Sequence, residues 1–84
     1  MDKLTSLRNI GEKMEKRLNA VGVFSVQELA ELGSKEAFAR IKTHDPSVCV
    51  VYLYALEGAI SDMEYNQLPE AVEEDLKRFC ERLR

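Results

Sequence analysis

The chain has 84 residues, a net charge of −3 and a hydrophobic fraction of 45%. This length suits a single domain over residues 1–84, whose small core leaves no room for a deep substrate cavity. The longest apolar run, Val48 to Leu56, is far too short to cross a bilayer. No apolar stretch follows Met1, so we expect no signal peptide, no membrane contact and a cytoplasmic location.

Charge is divided unevenly along the chain. Residues 1–42 hold eight Lys or Arg and six Asp or Glu, whereas residues 43–84 hold four and nine. The net acidity argues against broad, non-specific affinity for nucleic acid. Only the mildly basic first half suits an approach to phosphate groups.

The sequence contains no recognisable metal or cofactor motif. His44 is the only histidine, and Cys49 and Cys80 do not form a CxxC pair. Two such cysteines within apolar helical patterns are typical of reduced, buried thiols. We therefore expect no bound metal and no cofactor.

The predicted elements begin with a short helix marked by Leu4, Leu7 and Ile10. A second helix is predicted from Glu12 to Ala20, because its apolar residues recur on one face at helical spacing. Gly22 follows it and suits the left-handed backbone conformation that ends many helices.

Capping signals place the next two helices. Ser25 and Glu28 form a Ser-x-x-Glu capping box, which predicts a third helix to about Leu32. Gly33 then ends that helix, and Ser34 is predicted to cap a fourth one.

Asp45 and Pro46 predict the start of the next helix, since Asp is a good N-cap and Pro fits the first helical position. The segment Ser47 to Ile60 that follows is apolar nearly all round. Its valines favour a strand, but its length, its cap and its small residues favour a buried helix at the centre of the fold.

Pro69 precedes the last predicted helix, whose acidic residues come early and whose basic residues come late, as the helix dipole favours. Its apolar stripe either covers the core or forms an interface with another chain. The residues of this candidate interface are Val72, Leu76, Phe79 and Leu83. The elements together predict an all-α, compact domain of five or six helices.

The turn between the first two helices is the candidate phosphate-binding site. A glycine at a helix start leaves backbone N–H groups open to a phosphate oxygen, and basic neighbours add charge. The candidate residues are Arg8, Asn9, Ile10, Gly11, Lys13, Lys16 and Arg17. The alternative is a tight helix connection with a solvated charged face, in which Glu12 satisfies the free N–H groups itself.

Four further residues carry weaker signals. Tyr52, Tyr54 and Tyr65 could stack on bases, but core packing is the alternative for the two tyrosines of the central helix. Glu57 lies in that apolar helix and is expected to pair with a basic side chain or to cap a neighbouring helix. No nucleophile, base or metal cluster accompanies it, so we expect a protein without enzymatic activity.

Five blocks of the sequence taken together resemble the C-terminal domain of the TfoX family, regulators of natural competence for DNA uptake. The blocks read LRNIG at 7–11, LNAVGV at 18–23, ELAELG at 28–33, LYALEGA at 53–59 and NQLP at 66–69. The resemblance implies a helical domain that opens with a helix-hairpin-helix-like unit, and an association with competence gene regulation. The chain departs from the family pattern at Glu12, where proline is favoured, and at Tyr65, where tryptophan is favoured. We expect a stand-alone copy without the family's N-terminal domain.

Two functions remain open from the sequence. The first is a non-enzymatic module that contacts a nucleic-acid backbone, such as duplex DNA, weakly and without sequence specificity through the hairpin. The second is a protein-interaction or dimerisation module with no nucleic-acid contact, for which a second copy of the chain is one partner.

Overall fold

Residues 3–83, which a computed structural model describes, form five α-helices and one short 3-10 helix. The α-helices are α1 (Glu12–Ala20), α2 (Val26–Leu32), α3 (Ser34–His44), α4 (Val50–Ser61) and α5 (Glu70–Arg82). No strand occurs within residues 3–83, so the predicted all-α class is confirmed.

The predicted first helix is reduced to a 3-10 helix over Leu4–Ser6. Leu7 follows with an extended backbone, φ −80° and ψ 150°. The helix-hairpin-helix-like opening is therefore not confirmed, since a three-residue 3-10 helix makes only one turn. Leu4 nevertheless lies in the core with 1% of its surface exposed.

Helix α4 lies at the centre of the fold, as predicted, and packs against α3 and α5. Its Leu53 and Leu56 are completely buried, and small residues such as Ala59 let neighbouring helices approach closely. Phe38 of α3 and Leu29 of α2 complete the same core. Each fully buried side chain of this size contributes roughly 1.5–3 kcal/mol to the free energy of unfolding.

The cap of α2 has the predicted serine. Ser25 Oγ accepts a hydrogen bond from the Glu28 N–H at 3.1 Å. The Glu28 carboxylate accepts from the Phe24 N–H at 2.8 Å, one residue earlier than a standard capping box requires. Gly22 has φ +88°, which confirms the predicted left-handed position.

The predicted cap at Ser34 is wrong. Ser34 is the first residue inside α3, and Gly33 with φ +89° takes the N-cap position. The serine is instead 5% exposed and turns its hydroxyl towards Glu57 of α4. An inter-helix hydrogen bond has replaced the local one that the sequence suggested.

The predicted start of α4 at Asp45 and Pro46 is also wrong, because this helix begins at Val50. Asp45 ends α3, and its carboxylate accepts hydrogen bonds from the N–H and the hydroxyl of Ser47 at 3.1 and 2.6 Å. Its oxygens therefore satisfy a local turn rather than the first turn of a helix.

The expectation of two buried thiols fails at Cys49. This residue is exposed at the N-cap of α4, whereas Cys80 of α5 is half-buried. The later start of α4 explains the exposure, because it moves Cys49 out of the apolar helix. None of the helices within residues 3–83 is long and apolar enough to cross a membrane.

Candidate functional site

Asn9 joins the predicted phosphate-binding turn to the C-terminal part of α4 through hydrogen bonds. The Asn9 Nδ2 donates to the carbonyl of Met63 at 2.9 Å and to the carbonyl of Ala55 at 3.4 Å. Its Oδ1 accepts from the Tyr65 N–H at 3.3 Å. Asn9 has φ +69°, a left-handed conformation that asparagine tolerates better than most residues.

Arg8, next to this turn, forms ion pairs with two carboxylates. Arg8 Nε lies 2.9 Å from Asp62 Oδ1, and its Nη1 lies 3.3 Å from Glu64 Oε1. The hydrogen bond to Asp62 is the main reason that the pKa of Arg8 is raised. The charge of Arg8 is thus balanced within the fold.

Arg17, which belongs to α1, is also paired within the fold. It forms an ion pair with Asp45, and its guanidinium carbon lies 5.2 Å from the centroid of the Tyr52 ring. Hydrogen bonds from the Ser47 hydroxyl and from Arg17 lower the pKa of Asp45 to about 2. Arg17 therefore fastens the end of α3 to α1 and α4.

The remaining predicted residues divide into two groups. Ile10 is 5% exposed and packs in the core, as the alternative interpretation of the turn predicts. Gly11, Lys13 and Lys16 are exposed, and neither lysine forms an ion pair with another residue of the part that the structure describes. Phosphate binding at Gly11 and these two lysines stays a prediction.

A surface groove of about 340 Å³ adjoins this exposed start of α1, and we call it the α1–α4 groove. Two of the three highly exposed large hydrophobic side chains among the described residues line it: Val51 at 45% and Tyr65 at 43% exposure. Its full lining is Asn9, Gly11, Lys13, Met14, Val51, Tyr52, Ala55 and Tyr65.

Sequence reasoning missed Val51 as a candidate functional residue. The available signal was the all-round apolar character of α4, since even the central helix of so small a domain cannot bury every side chain. The exposed Tyr65 belongs to the irregular segment after α4, where its N–H donates to Asn9, and it lines the same groove as Val51.

Glu57 does not have the basic partner that the sequence suggested. Its carboxylate accepts from the hydroxyl of Ser34 at 2.6 Å and from that of Ser61 at 3.3 Å. No lysine or arginine of residues 3–83 forms an ion pair with it. The half-buried carboxylate joins α4 to the first turn of α3, where the positive end of the helix dipole favours a negative charge.

The candidate interface on α5 lies largely on the core. Leu76 is 2% exposed, and Val72, Phe79 and Leu83 are half-buried against the core. Val72 and Phe79 also line a groove of about 660 Å³, at which Lys35 Nζ lies 2.6 Å from Asp75 Oδ2. Contact of this stripe with another chain stays a prediction, but Leu76 is not exposed enough to take part in it.

The fold and these contacts define a small all-helical module whose first turn is bound to the end of its central helix. Within that class, the chain belongs to the TfoX C-terminal domain family, whose sequence profile matches residues 1–80. It is therefore a module related to competence regulators.

Comparison with known proteins gives both a full-length relative and solved structures. Protein Sxy of Escherichia coli strain K12 is 30% identical over 82 residues, which cover 98% of this chain and 39% of Sxy. The chain thus spans about two fifths of the length of this relative.

Two crystal structures from Listeria monocytogenes, one of an uncharacterized protein in a triclinic form and one of a protein of unknown function in a tetragonal form, are similar to this chain, and each is 44% identical to it in sequence. The triclinic form has a TM-score of 0.94 over 96% of this chain and 92% of that one. The tetragonal form has a TM-score of 0.92 over 95% and 99%.

Proposed function

We propose that this chain is a non-enzymatic protein-interaction module that binds a segment of a partner protein in the α1–α4 groove. The observation that carries the proposal is the clustering of Val51 and Tyr65 on one groove, at 45% and 43% exposure. Exposed apolar side chains scattered singly need no explanation, but two that line the same groove favour a binding site there.

The lining of the groove indicates the chemistry of its occupant. An apolar or aromatic side chain of the partner packs between Val51, Tyr52 and Tyr65. Lys13 at the rim and the start of α1, which has no side-chain cap at Gly11, favour a carboxylate beside that anchor. The expected occupant is a peptide segment with a large apolar residue close to Asp or Glu.

The charges around the turn favour a protein partner over a nucleic acid. Arg8 is paired with Asp62 and Glu64, and Arg17 is paired with Asp45. The exposed Glu12 and the net charge of −3 oppose the many phosphate charges of a nucleic acid more strongly than the single carboxylate of a peptide, which Lys13 can offset. Few uncompensated cations remain to release counterions from a nucleic-acid backbone.

Peptide display on the immobilised protein tests this proposal. Val51→Asp removes the apolar wall and repels acidic peptides, and Asp is tolerated in the first turn of α4 by the helix dipole. We expect enriched peptides that combine a large apolar residue with Asp or Glu, and at least about a tenfold weaker affinity for Val51→Asp.

Phe24→Asp is the matched control, because Phe24 is 65% exposed and lies away from the groove. The enriched peptides should bind this variant as they bind the unchanged protein. The proposal fails if no sequence is enriched, or if the enriched peptides bind Val51→Asp as tightly as Phe24→Asp.

The exposed Lys13 and Lys16 support a second candidate, weak contact with a nucleic-acid backbone at the start of α1. Two phosphate contacts would give a log–log salt slope of about −1.8. Fluorescence anisotropy with duplex DNA, repeated at several low salt concentrations, measures this slope. Binding that is lost in a Lys13→Glu, Lys16→Glu double variant but kept in Val51→Asp would favour this candidate over the first.

A further inference from the structure

A second groove, of about 310 Å³, brings together the two cysteines of the chain. It lies between the start of α4 and the end of α5, and we call it the cysteine groove. Its lining consists of Lys42, Val48, Cys49, Val50, Lys77, Cys80 and Glu81. The sequence separates these cysteines by 31 positions, and the packing of α5 on α4 brings both of them to the lining of one groove.

The two thiols differ in access. Cys49 is exposed and belongs to the irregular segment before α4, with no side-chain hydrogen bond at its cap position. Cys80 is half-buried in α5 and packs against the core. The Cys49 carbonyl accepts the N–H of Tyr52 at 3.0 Å, so the movement that brings the two sulfurs together must come from the side chains rather than from the backbone.

Lys42 holds the irregular segment against the groove. Its Nζ donates to the carbonyls of Pro46 and Val48, each at 3.0 Å. These two bonds limit the excursions of the segment that ends in Cys49, which keeps the exposed thiol over the groove where Cys80 lies.

We propose that Cys49 and Cys80 are an oxidisable pair that hydrogen peroxide converts to an intramolecular disulfide. The sulfur of Cys49 attacks one peroxide oxygen, the O–O bond breaks, and water leaves with the thiol proton, so that a sulfenic acid forms. The sulfur of Cys80 then attacks the sulfur of Cys49 and expels the hydroxyl group as a second water. One peroxide is reduced to two waters while two thiols lose one electron each.

The assignment of the two roles follows from exposure. Peroxide reaches the exposed Cys49 first, and the half-buried Cys80 meets the resulting sulfenic acid from inside the groove. The bond that forms ties the start of α4 to the end of α5 and so constrains one end of this helix pair.

Intact-mass spectrometry of the reduced, dilute protein after peroxide treatment tests the proposal. We expect a loss of about 2 Da, reversal by dithiothreitol, and a proteolytic fragment in which the peptide containing Cys49 is linked to the one containing Cys80. Cys80→Ser should instead gain about 16 Da at Cys49, because the sulfenic acid has no partner thiol.

Cys49→Ser is the control for the order of the steps and should react more slowly than Cys80→Ser. Circular dichroism checks that both variants keep their helices. Two results would overturn the proposal: oxygen addition in the unchanged protein without the cross-linked fragment, or a disulfide that joins two chains in place of Cys49 and Cys80 of one chain.

Discussion

Asn9 and Gly58 are fitted to each other across the interface between the opening turn and α4. A Cβ atom placed on Gly58 would lie 2.5 Å from Asn9 Nδ2 and 2.4 Å from the carbonyl oxygen of Met63. The same Nδ2 and carbonyl are joined by a hydrogen bond of 2.9 Å. The absent side chain at position 58 is therefore what lets the asparagine hold the turn against the end of the helix.

Gly58→Ala should lower the free energy of unfolding by about 1–3 kcal/mol, because the added methyl group meets a backbone carbonyl that cannot rotate away. Alanine favours a helix over glycine by about 1 kcal/mol. A net loss of stability in Gly58→Ala must therefore come from the steric clash. Urea denaturation followed by circular dichroism measures it. Gly11→Ala is the control, since a methyl group on Gly11 would meet no atom within 4 Å, and an equal loss there would contradict this explanation.

Asn9→Ala should cost about 2–3 kcal/mol, since it removes the hydrogen bonds to Met63 and Tyr65 and places alanine at φ +69°. Asn9→Gly separates these two causes, because glycine adopts this φ freely but makes no side-chain bond. Thermal unfolding should rank the unchanged protein above Asn9→Gly and Asn9→Gly above Asn9→Ala. Equal melting temperatures for all three would refute the role of the amide.

The sequence was sufficient to predict the elements that depend on local signals. The Ser25 cap and the left-handed Gly22 are set by residues within one turn of each other, and both were predicted correctly. The apolar length of α4 was also enough to identify it as a central buried helix.

The cap predicted at Ser34 is wrong because a long-range contact replaces a local one. Ser34 bonds to Glu57, 23 residues away, and Arg17 bonds to Asp45, 28 residues away. Both polar side chains have a plausible local role, so a single sequence gives no reason to prefer the distant partner. The candidate site changed for the same reason, because the partners of Arg8 and Asn9 lie more than 45 residues further along the chain.

The Asp45 carboxylate should make the stability of the fold depend on pH in the acidic range. Its pKa is lowered in the folded state to about 2 from 3.8, first by the Ser47 hydroxyl and then by Arg17. A lowered folded pKa contributes stability above pH 3.8, and this contribution is lost as the pH falls towards 2. Asp45→Asn should therefore melt below the unchanged protein at neutral pH, with a gap that closes as the pH approaches 2.

Thermal unfolding of both proteins in buffers of decreasing pH measures this difference in melting temperature. Both proteins share the other carboxyl groups, so the stability lost when those groups are protonated cancels in the difference. Arg17→Met tests the second contribution to the same pKa. Its own gap to the unchanged protein should also narrow in acid, since protonated Asp45 no longer attracts the guanidinium. A gap that stays constant from neutral pH to about 2 would refute the linkage.

Leu76→Ala should destabilise the fold by about 2–5 kcal/mol, because Leu76 is 2% exposed and its removal leaves a cavity between α5 and the core. Val51→Ala should change the free energy of unfolding by less than about 0.5 kcal/mol, since Val51 is 45% exposed. The two positions therefore separate the core from the α1–α4 groove: one substitution lowers stability, and the other lowers peptide affinity without affecting stability. Urea denaturation and peptide binding on the same preparations measure both, and a stable Leu76→Ala protein would contradict the core assignment of the α5 stripe.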